Sequence, residues 1–125
     1  MINEILLYIG SVIILIWGIS HIIPTKSVVS GFGKISEDNK KIITMEWIAE
    51  GLTLCFIGGL VLIITLFEGI QCYVSFIVYR LSALMLLVMA GLTAMTGART
   101  SNIPIKLCPI VKTIVAILFL LGSVL

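Results

Sequence analysis

Four stretches of this chain of 125 residues, at 5–23, 42–66, 71–95 and 107–125, are almost uninterrupted runs of apolar side chains. Each is long enough to cover a hydrocarbon core of roughly 30 Å at about 1.5 Å per helical residue. A run of that length satisfies its own backbone groups in lipid as an α-helix. With 60% hydrophobic residues, 11% charged residues and a mean hydropathy of +1.26, the composition lies far outside the range of soluble domains. The sequence therefore predicts an all-α integral membrane protein, a four-helix up-and-down bundle forming one domain over residues 1–125. Little chain is left for a separate soluble domain. The first run is read as a span and not as a signal peptide: Glu4 stands where a basic segment would precede a signal, and the small triplet Gly18-Ile19-Ser20 falls inside the apolar run.

Orientation follows from the basic residues. Lys26, Lys34, Lys40 and Lys41 lie between spans 1 and 2, and Arg99 and Lys106 lie between spans 3 and 4, with Lys112 just inside span 4. The N-terminus, the 67–70 turn and the C-terminus carry no Lys or Arg. This bias places both longer loops in the cytoplasm and both termini outside the cell membrane. A lipid bilayer is the expected surrounding, and no nucleic-acid partner is expected.

Within this apolar chain the charged residues are the informative ones. Glu46 and Glu50 open span 2 and share one helix face, which continues through Leu54 to Gly58, a residue that admits a neighbouring helix. Acids at membrane depth are costly and usually mark something functional. Glu46, about one turn into the span, can reach back to the headgroups, whereas Glu50, a turn deeper, cannot easily do so. Two readings of Glu50 stay open, a structural ion pair with another span or a proton acceptor and ligand anchor. Trp47 between them is expected to anchor at the membrane interface. His21, the only histidine, follows the Gly10, Ile14, Gly18 stripe of span 1 and stands in the last turn before Pro24. It is either an interfacial residue at a helix C-terminus or a proton carrier in the layer of Glu46.

Arg80 in span 3 is followed on its face by Ala83, Leu87, Ala90, Gly91 and Ala94, a mostly small stripe that predicts an inward-facing arginine. It leans toward the outer surface, where Glu68 is the nearest expected partner. Gly97 is expected to cap span 3. Cys108-Pro109 is expected to open span 4, which would put Cys108 at a helix N-terminus near Lys112 and Arg99, the electropositive setting of a reactive thiol. Against that, a lone cysteine without a resolving partner is commonly a small structural residue. The three cysteines, Cys55, Cys72 and Cys108, fall at different depths with no C-x-x-C pair, and a single histidine argues against a multi-histidine metal or haem centre; no metal is expected. The ligand-binding or proton-handling candidates are therefore His21, Glu46, Glu50, Arg80, Arg99 and Cys108, with His21, Glu46, Glu50, Arg99 and Cys108 expected in one cytoplasmic-side polar layer.

The end of span 1, Gly18-Ile19-Ser20-His21-Ile22-Ile23-Pro24, and the acid-glycine segment Glu50-Gly51-Leu52-Thr53-Leu54 together resemble the DoxX-like group of small four-helix membrane proteins. The resemblance covers mainly spans 1 and 2. It implies an up-and-down bundle that in some members forms the membrane part of quinone-linked redox systems. The expected function is accordingly an accessory or redox-associated membrane subunit that holds a quinone-like or other small lipophile, alone, as a homo-oligomer or within a larger membrane complex. The alternatives are a small oligomeric carrier or efflux component and a purely structural membrane subunit; the sequence does not decide whether the chain is an enzyme.

The charge bias yields a direct test of orientation. An alkaline phosphatase fused to the C-terminus should be active on bacterial cells and a green fluorescent protein at the same place dark; the reverse pattern would refute both termini outside.

Overall fold

The computed structural model describes residues 1–124. Its long helices are α1 (Ile2–Ile22), α3 (Glu37–Phe67), α4 (Tyr73–Met95) and α5 (Ile103–Val124), with a short helix α2 (Thr25–Ser30) and a single 3-10 turn (Gly97–Arg99) in the two longer connections. All four long helices are long and apolar enough to cross a membrane. The fold is thus the expected all-α four-helix bundle of a small multi-pass membrane protein. Residue 125, the end of the fourth predicted span, lies outside the described residues. The outer faces carry large apolar side chains such as Ile9, Val12, Ile16, Ile63, Leu84 and Val88. A bundle apolar on both its inner and outer faces is what a lipid solvent requires.

Local chemistry sets where each helix begins. Ser36 is the N-cap of α3 and its hydroxyl accepts from the Asn39 amide at 3.1 Å, while Glu37 and Asp38 place negative charge in the first turn. The other end of α3 closes at Gly69, whose φ of +66° admits the left-handed turn and whose amide donates back to Ile64. α5 starts earlier than the sequence suggests. Asn102 accepts from the Ile105 amide at 3.4 Å, Pro104 fits the first turn where its missing N–H costs nothing, and Pro109 falls inside the helix. Gly97 begins the 3-10 turn and does not cap α4, which ends at Met95.

α1 is the central helix, packed along α3 on one side and α5 on the other, and α5 in turn packs along α4. Small residues bring these helices close. A Cβ added at Gly18 would stand 2.9 Å from the Gly51 carbonyl oxygen and 3.0 Å from the Cys55 amide nitrogen, and one at Gly58 would stand 3.0 Å from the Ser11 carbonyl oxygen. Gly10 and Gly122 play the same part between α1 and α5, against Phe119 and Leu7. Dispersion at such short backbone separation is what holds membrane helices together when lipid competes for every apolar contact. α3 and α4 touch little. Near their connecting turn they are joined by Tyr79, whose hydroxyl donates to the Gly69 carbonyl at 3.2 Å and lies 3.1 Å from the Thr65 hydroxyl. Away from the turn they leave a gap.

The buried face of α4 is Ser75, Tyr79, Ser82, Ala83, Leu86 and Ala90. Of the small stripe expected beside Arg80, only Ala83 and Ala90 are buried, while Leu87 and Gly91 face outward and Arg80 itself is exposed on the flank. Helix–helix packing selected the neighbouring face because it carries Tyr79, which fills space and pins the turn.

The close approach can be tested against an internal control. Gly18→Ala should destabilise the protein in detergent by about 1–3 kcal/mol, because backbone atoms must move to admit the methyl group. Gly91→Ala, where an added Cβ would meet nothing within 4 Å, should leave stability unchanged or slightly raised. Equal effects of the two substitutions would refute the packing described.

Candidate functional site

Glu50, on α3, accepts at Oε1 from the ammonium of Lys112 on α5, and the same Nζ donates to the Thr93 hydroxyl of α4 at 3.0 Å. The Thr93 hydroxyl in turn donates to the Met89 carbonyl at 2.9 Å. The Lys112 side chain is fully buried, and Glu50 is about one-third exposed. A lysine and a glutamate in the interior of a membrane bundle stay charged at tolerable cost only as such a hydrogen-bonded pair.

On the other side of Glu50 stands His21 of α1, with Nε2 3.5 Å from Oε2. That separation is within ion-pair range, but the atoms are not aligned as a hydrogen bond, and His21 Nε2 is buried without a hydrogen-bond partner. The imidazole is fixed by Trp47, whose ring stacks on it at 3.9 Å between centroids and 15° between planes. The Trp47 indole N–H also donates to the His21 carbonyl at 2.6 Å, which satisfies an acceptor left over at the end of α1. Trp47 is therefore a clamp between α1 and α3, a role that its sequence position alone does not reveal.

These residues border a cavity of about 1000 Å³ that occupies the gap between α3 and α4. Glu46, Trp47, Glu50 and Thr53 of α3 face Met85, Met89 and Thr93 of α4, and Thr96 just past its end, across it, with Trp17 and His21 of α1 and Cys108 of α5 at the back. Val28 and Phe32 of the first connection and Asn102 and Pro104 of the second bound it at the end that carries the loops. The walls are mainly apolar. At about 1000 Å³ the space stands at the top of the usual range for a drug-sized ligand.

Four of the six candidates meet here: His21, Glu46, Glu50 and Cys108 all line the cleft. Cys108 does so as a buried residue about one and a half turns inside α5, accepting the Trp17 indole N–H at 3.3 Å, and not at a helix N-terminus. Arg99 ends the 3-10 turn on the exposed surface and is not among the cleft residues. Arg80 sits near the opposite end, where its Nε donates to Ser123 at 3.4 Å and its guanidinium lies 5.9 Å from the centre of the Phe76 ring. Among the described residues it has no ion pair with Glu68 or with Glu50. Lys112 is the residue that sequence reasoning missed as a site member. Its signal was present: a lysine one turn beyond Cys108, on the face that continues to Val115, Ala116 and Phe119, cannot be left unpaired in an apolar run.

No family model matches the chain, and no curated protein or solved structure is significantly similar to it.

The pairing of Glu50 with Lys112 is testable by asymmetry. Glu50→Ala strands a buried ammonium and should cost on the order of 3 kcal/mol in detergent unfolding, whereas Glu50→Ala combined with Lys112→Met should regain at least half of that loss. A double variant as unstable as the sum of its single substitutions would contradict the pairing.

Proposed function

We propose that this protein is a small membrane subunit whose cleft between α3 and α4 accepts a small lipophile, with the polar end of that molecule held in the layer of His21, Glu46 and Glu50. One observation carries the reading. A buried imidazole with an unpartnered Nε2 lies at the head of an apolar cavity large enough for such a molecule. Buried polar atoms are nearly always hydrogen-bonded, and one left without a partner at a cavity wall fits a group supplied by a ligand. Access fits as well, because the cleft lies on the side where α3 and α4 touch little. A quinone belongs to this class of lipophile, in keeping with the DoxX-like resemblance of spans 1 and 2. We place the loop-bearing end of the bundle, and with it the cleft, on the cytoplasmic side, on the strength of its lysines and Arg99.

A second reading is supported by the completed Lys112 bonds to Glu50 and Thr93, which join α3, α4 and α5. On that reading the polar layer fixes helix register and a partner subunit does any chemistry.

Trp17 and Trp47 both line the cleft and are the only two tryptophans, so their emission reports its occupancy. In nanodiscs, decylubiquinone or 4-phenylbutanol should change that emission saturably, and Ala49→Phe, which fills the cleft, should weaken the effect at least tenfold. Only linear, unsaturable changes identical in the variant would refute a binding cleft and leave the structural reading.

A further inference from the structure

The charges around the cleft narrow the class of lipophile. Two carboxylates, Glu46 and Glu50, border it, and no lysine or arginine does. Lys112 does not offset them toward the cavity. Its side chain is wholly buried and does not border the cavity, and its ammonium donates to Glu50 Oε1 and Thr93. Glu46 has no ion-pair partner among the described residues. An occupant therefore meets one carboxylate matched from behind and a second that is unmatched.

The imidazole adds an independent constraint. The His21 side chain keeps only 9% of its surface, and its Nε2 has no hydrogen-bond partner while lying 3.5 Å from Glu50 Oε2. Glu50 Oε2 is left free to accept from an occupant, and in the imidazole tautomer that carries its proton on Nδ1 the Nε2 lone pair is a second acceptor beside it. A group rich in N–H donors satisfies both atoms at once. A carbonyl oxygen, an acceptor alone, would be set against two carboxylates. The remaining walls suit an organic cation too, since Trp17 and Trp47 offer indole rings and Met85 and Met89 offer polarizable thioethers.

We infer that the cleft is a binding site for a lipophilic monocation with N–H donors, a protonated amine with an apolar tail, whose ammonium lies between Glu46, Glu50 Oε2 and His21 Nε2. This rests on the cleft being a binding site at all and names what fills it.

The test uses the full-length protein in nanodiscs of zwitterionic lipid, with empty nanodiscs as the partition reference and tryptophan emission as the readout. The probes are 4-phenylbutylamine, its neutral counterpart 4-phenylbutanol, and decylubiquinone. The amine should bind at least tenfold more tightly than the alcohol. Glu46→Gln, a substitution at an exposed position that the fold does not depend on, should reduce that ratio to below threefold, with thermal unfolding used to confirm a folded variant. Equal affinity for amine and alcohol or tighter binding of the quinone would overturn the cation assignment and leave the cleft standing as a site for a neutral lipophile, and a tenfold ratio unmoved by Glu46→Gln would overturn the placement of the ammonium beside Glu46. Failure of all three probes to saturate would overturn the cleft itself.

Discussion

The pairing of Glu50 with Lys112 is the constraint from which the arrangement of this bundle follows. Neither charge can be placed alone in the interior of a membrane protein without a cost that exceeds most packing gains. Together they are tolerable only when their helices stand at a fixed distance and rotation, and that requirement ties α3 to α5 across the bundle. A second bond, from Lys112 to Thr93, brings in α4. Apart from the Tyr79 contacts near their connecting turn, α3 and α4 are in this way linked through the Lys112 bonds of α5 and the packing of α1, and not by packing against each other. They can then diverge from their connecting turn and leave a cavity between them without loss of order.

Around that pair, apolar packing supplies rigidity where the site needs it. α1 runs through the middle of the molecule because Gly18 and Gly51 on one side, and Gly10 and Gly122 on the other, allow it to approach two helices closely. The same contact sets the end of α1 beside α3, so that Trp47 can stack on His21 and take up its carbonyl. An imidazole held by ring stacking at one face and a backbone bond at its root has little freedom to turn away from the cavity. Groups that meet a ligand are most effective when carried on such fixed elements.

Much of this was legible in the sequence, for reasons that can be named. The four spans were readable because lipid imposes a minimum length on every apolar helix, and the face that carries Glu46, Glu50, Leu54 and Gly58 was readable because helical spacing is geometric. Leu54 and Gly58 are indeed buried. Relations between helices were less accessible. Trp47 was expected at the headgroups because tryptophan is common there, and only the proximity of α1 gives its N–H a carbonyl inside the protein. Pro109 drew the predicted start of α5 too far along, although Asn102 and Pro104 supply a competent cap and first turn six residues earlier. Reading Lys112 as an orientation marker hid its partner, and with a shorter predicted α5 it lay closer to the membrane surface than it does. Arg80 was assigned to an inward face by its small neighbours, whereas the face that packs is the one that carries Tyr79.

The proposed function requires that the gap between α3 and α4 admit molecules from the membrane to the polar layer behind it. The most direct measurement uses Trp47→Phe protein, in which Trp17, on α1 at the back of the cleft, is the sole fluorophore. In bilayers of lipids brominated along the acyl chain, Trp17 emission should be strongly quenched, and Ala49→Phe should remove at least half of that quenching by filling the cleft. Trp17 emission untouched by bromines at every chain position would show a sealed bundle and contradict the account.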